Sequence, residues 1–246
     1  MGNGPQLAGK VALVFGGSRG IGAAIVRQLA SDNASVALTY SNSPEKAAET
    51  ARVAETQGGS VITIKADSAD SAAVRGAVAQ TVARFGRLDI VVVNAGILIR
   101  GRVDTYDLED FDRMWATNVR GVFVAIQASA PHLTDGGRII TIGSNTAVRT
   151  AFPGASVYSM TKGAIASLVR GVAIDLAPRG ITVNNVQPGP TATDMTAGHV
   201  EMVKPLVPLG RMGEPEEVAG LVAYLASARA GFITGSSLTI DGGYVA

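Results

Sequence analysis

The chain has 246 residues, of which 47% are hydrophobic and 17% charged, a balance that supports a sizeable core and excludes a disordered segment. Lys and Arg number 21 against 20 Asp and Glu, so no broad basic surface for nucleic acid or anionic membrane is expected. There is no cysteine, which excludes disulfides, thiolate catalysis and Cys-ligated zinc. The first residues, Met1-Gly2-Asn3-Gly4-Pro5-Gln6, lack the charged and apolar regions of a secretory signal. Gln6 stands where a myristoylation motif requires Ser or Thr. No apolar run reaches the ~18 residues of a membrane span. These features lead to the expectation of a cytoplasmic protein with no membrane partner.

Along the chain, short and almost continuously apolar runs at 11–15, 35–39, 61–66, 90–93, 138–142, 182–186 and 237–240 predict strands buried on both faces. Helices are predicted between them at 21–30, 44–56, 71–85, 108–130, 158–176 and 215–226. Asn33 and Gly58-Gly59 stand where helices stop, and Glu214-Pro215 opens the last one with Pro where no N–H is needed. The alternation predicts an α/β class: a single-domain, Rossmann-like, doubly wound sheet of about seven parallel strands flanked by helices on both faces. No linker divides residues 1–246, which read as one domain. The stretch 187–211 has no clear period and carries four prolines and three glycines. A loop that long is expected to be a substrate lid, with a plain surface excursion as the alternative.

The first strand runs into Gly16-Gly17-Ser18-Arg19-Gly20-Ile21-Gly22 and then a helix. A strand, a glycine turn and a helix N-terminus make an anion site, because backbone N–H groups point outward and the helix dipole favours negative charge. A glycine turn with no ligand has the same spelling. Where NAD sites place an acid, at the end of the second strand, the chain reads Thr39-Tyr40-Ser41-Asn42-Ser43, with no acid between Asn33 and Pro44. Arg19 supplies a cation, and Ser41 and Asn42 supply donors, which favours the 2′-phosphate of NADP(H). The same turn spells G-x-S-x-G, the hydrolase elbow, with Ser18 as nucleophile and Asp175 or Asp194 followed by His199 as partners. Against that reading, the elbow follows the first strand, the other histidine, His132, has no evident acid partner, and Tyr158 and Lys162 are left without a role. A third reading is a binding protein that holds NADP(H) without turnover.

Tyr158 and Lys162 are four residues apart at a helix start, hence on one face. A free phenol, with pKa ~10, is a poor base at neutral pH, and a neighbouring ammonium is expected to lower that value. Such pairs are common and usually structural. This one follows Gly143-Ser144 at the end of the fifth strand, where open α/β sheets bind ligands. Ser144 would hold a substrate oxygen against Tyr158, or else merely cap a turn.

Together, Gly16-x-x-x-Gly20-x-Gly22, Asn94-Ala95-Gly96, Asn118, Ser144, Tyr158, Lys162 and Pro188-Gly189 resemble the short-chain dehydrogenase/reductase family, in its compact type that includes 3-oxoacyl-carrier-protein reductases. The resemblance runs from Leu7 to Tyr244. It implies that Tyr158 protonates an alkoxide as hydride arrives from the pro-S face, or deprotonates the alcohol in reverse. It also implies that Lys162 lowers the Tyr158 pKa and binds the nicotinamide ribose. Ser144 would then orient the carbonyl, and Asn118 would hold a relay water or only kink its helix. Asp67, with Ser68 after it, would meet the adenine. Asn94, Ala95 and Gly96 would line the cofactor, and Ile142, 188–191 and Thr193 would surround the nicotinamide. No metal site is implied.

Two positions depart from the family pattern: Phe15 replaces a Thr and Val93 an Asn, leaving an expected apolar contact between them and a loop of uncertain rigidity. Expected pocket residues are Leu98, Asn145, Val148, Phe152, Pro190, Met195 and Val200, which make a mainly apolar pocket. The segment 121–135 has no Lys or Arg to meet an acidic carrier, leaving only Arg179 nearby. The segment 132–138 is similar to polyketide and small-ketone reductases. A small or hydrophobic ketone is therefore preferred as substrate, with 3-oxoacyl-carrier protein as the alternative. Apolar residues on more than one face of the helices around Asn118 and Tyr158, among them Phe123, Leu168 and Val172, suggest an interface. The family resemblance implies a homotetramer, to which a last strand over 238–245 would contribute.

Overall fold

The computed structural model describes residues 6–246, the side chain of His199 excepted. Residues 1–5, read above for signal and myristoylation motifs, and the His199 side chain of the hydrolase reading lie outside the described residues.

All seven predicted strands form: β1 (Val11–Phe15), β2 (Ser35–Tyr40), β3 (Val61–Lys65), β4 (Leu88–Val93), β5 (Leu133–Ile142), β6 (Thr182–Pro188) and β7 (Ser237–Ile240). They pair in parallel in the order β3-β2-β1-β4-β5-β6-β7. The order reverses between β1 and β4, and the crevice at the carboxyl ends of these strands is where such sheets bind ligands. Every residue of β1, β4 and β6 is buried; β1 accordingly reads as an unbroken apolar run, while the buried polar residues of the other two are hydrogen-bonded, among them Asp89 in β4 and Asn184 and Asn185 in β6.

The helices are α1 (Gly20–Ser31), α2 (Pro44–Glu55), α3 (Ser71–Phe85), α4 (Leu108–Trp115), α5 (Gly121–Ser129), α6 (Ser156–Leu176), the short α7 (Val200–Val203) and α8 (Pro215–Ala226). One core packs α1 and α8 on the sheet through Ile25, Leu29, Val222 and Leu225. The other packs α3, α5 and α6 through Val78, Ile126, Ile165 and Val169. Local chemistry fixes the helix ends. Asp70 accepts from the N–H groups of Ala72 and Ala73 to start α3, and Gly86, at φ 77°, ends it. A reciprocal Glu214–Glu217 capping box starts α8. No helix among the described residues is long and apolar enough to cross a membrane.

Three expectations are corrected. The single helix over 108–130 is α4 and α5 joined by a π-helical turn, Ala116–Arg120, centred on Asn118. The long loop is partly ordered: its first residues complete β6, and three short helical turns occupy 197–206. The last strand stops at Ile240, because Asp241 accepts from the N–H groups of Gly243 and Val245 and curls the chain into a turn.

At the end of the sheet away from the crevice, Asp89 is buried yet accepts from Val11 N, Thr134, Arg87 and Lys10. Burial pushes its carboxyl up, but those donors outweigh it and hold the group below the usual range. One of these donors, Thr134, lies in the stretch of β5 that reaches back to Leu133, where the register shifts opposite Leu88 and Ile90.

Candidate active site

The glycine turn leaves β1 at Gly16, whose φ of +76° and approach to Ala95 (2.8 Å from an added Cβ) admit no side chain. At Gly22 a Cβ would lie 2.0 Å from the Gly16 carbonyl. The turn is tied on both sides. Gly16 N donates to Thr39 Oγ1 at 2.9 Å, and Asn94 Nδ2 donates to Gly16 O at 2.7 Å. Phe15 pairs with Val93 across β1 and β4, and both lie in the same core, giving the expected apolar contact. No side chain caps α1, whose first turn carries no acid, so its N–H groups face the crevice unopposed. A close-approach glycine cradle with uncapped N–H donors fits a pyrophosphate.

Beyond the turn, Arg19 Nη1 lies 3.8 Å and Lys46 Nζ 2.9 Å from the carboxylate of Asp194. Lys46 is absent from the sequence expectation, although its place in the first turn of α2, just past the end of β2, is the signal that points to it. Two cations meeting at the end of β2, with Tyr40, Ser41 and Asn42 beside them and no acid on the strand, suit a second phosphate. Asp67 and Ser68 follow β3 at the same edge; Asp67 Oδ1 accepts from Ala69 N at 2.9 Å.

A cavity of about 230 Å³ opens beside the turn. Ser144, Tyr158 and Lys162 share it with Ile21, Asn94 and Gly96. Pro188, Gly189, Thr191 and Thr193 line its other side. Thr193 lies over the glycine turn, 3.3 Å from where a Cβ on Gly20 would be. Thr196 Oγ1 accepts from Thr193 N and donates to Thr191 O, which fixes this stretch of the 187–211 segment.

Lys162 is buried, and its Nζ donates to Ile142 O at 2.9 Å and sits 5.6 Å from the centroid of the Tyr158 ring. Burial brings its pKa down to about 8. Burial pushes the Tyr158 phenol up to about 12, with the Ser144 hydroxyl pulling the other way. The expectation that Lys162 lowers the phenol pKa is therefore not met by the chain alone: desolvation wins, and both groups are driven toward their neutral forms. Ser144 caps a turn, as one of the two sequence readings offered. Its Oγ accepts from Thr146 N at 3.1 Å, capping a short turn, and the same hydroxyl faces Tyr158.

Asn118 stands behind the cavity rather than lining it. Its amide accepts from Ile97 N at 2.9 Å and donates to Ile97 O at 2.8 Å and to Thr161 at 3.2 Å. The π turn that carries it is a common device at functional sites. Of the expected pocket residues, Leu98, Asn145, Phe152, Pro190 and Met195 line the cavity. Val148 is 64% exposed, and Val200 packs in a small cluster with Val203 and Met212. Arg100, Arg149 and Tyr244 also line the cavity and were not anticipated. No cluster of His, Asp and Glu able to hold a metal is found among the described residues.

A family profile described as Enoyl-(Acyl carrier protein) reductase matches residues 16–245. The chain is 43% identical to the Cyclic-di-GMP-binding biofilm dispersal mediator protein of Escherichia coli, covering 96% of this chain and 97% of the relative. It is 41% identical to Versicolorin reductase stcU of Emericella nidulans, covering 97% and 96%. Among solved structures, a short-chain dehydrogenase/reductase from Serratia marcescens is 56% identical with a TM-score of 0.96, covering 98% of this chain and all of that one. A short chain dehydrogenase from Burkholderia cenocepacia in complex with NADP is 47% identical with a TM-score of 0.96, at the same coverage.

Proposed function

The chain belongs to the short-chain dehydrogenase/reductase family, and we propose that it is an NADP(H)-dependent oxidoreductase interconverting a ketone and a secondary alcohol, with Tyr158 as general acid and base. The observation that carries the proposal is the meeting of the Ser144 and Tyr158 hydroxyls and the Lys162 amine in one cavity beside a glycine turn.

The residues divide the work by position. Backbone N–H groups of 16–22 would hold the pyrophosphate, and Arg19 and Lys46 the 2′-phosphate. Asn94, Ala95, Gly96, Lys162 and 188–193 would hold the nicotinamide end. Bound there, the nicotinamide supplies the hydride for reduction and, once oxidised, a positive charge near the phenol. Ser144 donates to the ketone oxygen and fixes it against Tyr158. A phenol held neutral by burial is ready to give its proton as the oxygen becomes an alkoxide. Lys162 lies under the Tyr158 ring, where its ammonium stabilises the phenolate left behind. Asn118 holds the Ile97 peptide and Thr161, and so steadies the floor on which Lys162 stands.

NADP(H) is preferred because no acid stands at the end of β2 while two cations do; the NADP complex of the Burkholderia cenocepacia relative supports this reading. A small ketone is favoured over an acyl-carrier protein because Arg179 is already engaged. It pairs with Asp135 at 2.9 Å and donates to the carbonyls of Ala130 and Leu133. The hydrolase reading loses ground because Asp194 is paired with Lys46 and lies near Arg19. Assembly as a homotetramer is supported by a shallow groove between α4–α5 and α6, where Trp115 and Phe123 are 40% and 46% exposed beside Leu168 and Val172.

The test is a ketone panel followed by NADPH absorbance. Turnover by wild type and by Ser18→Ala is expected; turnover that vanishes with Ser18→Ala, or esterase activity without ketone reduction, would contradict the proposal.

A further inference from the structure

The cavity wall has a charge pattern that the reaction does not need. Its ionisable side chains are three bases, Arg100, Arg149 and Lys162, and two phenols, Tyr158 and Tyr244, with no Asp or Glu. Lys162 belongs to the chemistry. The two arginines are exposed and stand at the rim of an otherwise apolar pocket.

Arg149 is held through its own side chain, and Arg100 through the loop that carries it. Arg149 Nη1 donates to Tyr244 O at 2.9 Å, and its guanidinium lies 5.7 Å from the centroid of the Tyr244 ring. Tyr244 is held in turn by Asp241, whose carboxylate accepts from Gly243 N, Val245 N and Asn145 Nδ2. The nearby acid is therefore committed to the C-terminal turn. Arg100 ends a loop fixed by Tyr106 Oη donating to Ile99 O at 3.0 Å and by Gly101 N donating to Gly154 O at 3.0 Å. The latter bond ties the Arg100 loop to the segment that follows Arg149. Among the described residues neither guanidinium has a carboxylate partner, unlike Arg19, Arg27, Arg87, Arg179 and Arg211.

We propose that the ketone substrate carries an anionic group, a carboxylate or a phosphate, which Arg100 and Arg149 receive at the rim while the carbonyl meets Ser144 and Tyr158. The apolar wall between them takes the connecting chain. Paired guanidinium donors on a planar anion give charge-assisted, oriented bonds. This inference rests on the reductase reading above and narrows it to a substrate class.

The experiment compares three ketones of equal chain length, ending in a carboxylate, its methyl ester or a phosphate. They are assayed with NADPH against wild type, Arg100→Ala and Arg149→Lys. A charge-assisted hydrogen bond is worth about tenfold or more in binding, so wild type should favour one or both anions over the ester by at least about that factor in kcat/KM. The better anion identifies the group. Arg100→Ala should erase most of the preference while leaving the ester within about threefold and the NADPH Kd unchanged. Because the Arg100 side chain makes no hydrogen bond or ion pair among the described residues and is exposed, this variant should fold; Arg149→Lys keeps the charge and should lose part of the preference.

Equal use of ester and anions by wild type, or a preference that survives Arg100→Ala, overturns the inference and leaves the reductase reading intact. So does a weakened NADPH Kd in Arg100→Ala, which would assign the arginine to the coenzyme. If no ketone turns over, the reductase reading fails, and equilibrium dialysis of the anionic ketone against wild type and Arg100→Ala still decides whether the rim binds it.

Discussion

The backbone N–H of Gly16 donates to the hydroxyl of Thr39 at 2.9 Å. Through this bond β2 ties down the glycine turn, so the turn needs no hydroxyl from position 15. Phe15 is free to enter the core beside Val93. Thr39→Val keeps the shape and removes the acceptor. A neutral hydrogen bond is worth about 1 kcal/mol net, so NADPH should bind up to about tenfold more weakly by fluorescence titration. Phe15→Thr alone should not tighten binding, because the bond it could add is already made elsewhere.

Arg19 and Lys46 share Asp194 as a partner. That partner competes with the 2′-phosphate for the same two cations. Arg19→Ala and Lys46→Ala should each weaken NADPH binding while leaving NADH nearly unchanged. Asp194→Asn should tighten NADPH alone. Equal effects on the two coenzymes, measured as Kd ratios, would contradict the phosphate assignment.

Lys162 carries a stability cost. Its pKa is brought down to about 8 by burial, from an ordinary value near 10.5. In this window the unfolded chain binds more protons than the folded one, so stability rises as pH goes from about 8 to 10.5 and the penalty is fully present below 8. Lys162→Met removes a buried charge and should raise stability at pH 7 by about 1–3 kcal/mol while abolishing turnover. Urea unfolding at pH 7 and pH 10 should show wild type gaining on the variant at the higher pH.

Tyr158 should give the two directions different pH profiles. With its phenol pushed up to about 12 in the free chain, ketone reduction needs the protonated form and should be level through neutral pH. Alcohol oxidation needs the phenolate and should climb with pH. Ser144 pulls the phenol pKa down, so Ser144→Ala should move the rise of the oxidation profile to higher pH as well as lowering kcat.

Asp89 is the anchor at the far end of the sheet. Its pKa is held low, so its contribution is present above the ordinary carboxylate range and is lost as pH falls through the folded value. Asp89→Asn should cost about 2–4 kcal/mol at pH 7 with kcat unchanged in the folded protein, read by urea midpoint and activity together.

The fold was legible because strands buried on both faces leave largely apolar runs and helices leave start and stop signals: α8 begins where Glu214-Pro215 indicated, and α1 and α2 end shortly before Asn33 and Gly58-Gly59. The break in the helix at 116–120 was offered only as an alternative reading of Asn118, as a residue that kinks its helix; its π-helical form was hidden, since Asn118 there bonds to Ile97, a contact between distant parts of the chain. The motif residues at 16–22, 94–96, 144, 158 and 162 could be read because close backbone approach and proton transfer restrict the residue type. Thr39 and Arg149 could not, because the partner each bonds is brought near only by the sheet order or by the C-terminal turn, and Arg100 could not, because only the folded chain sets it in the cavity wall. The direction of the Tyr158 pKa shift was also hidden, since burial is a property of the assembled pocket.

Whether Tyr158 delivers the proton is tested most directly by single-turnover ketone reduction in Tyr158→Phe, with NADPH affinity measured on the same protein. The account predicts a loss of about 10²–10⁴-fold in rate at unchanged coenzyme Kd. A variant that binds NADPH normally and reduces the ketone within a few-fold of wild type would show that the proton comes from somewhere else.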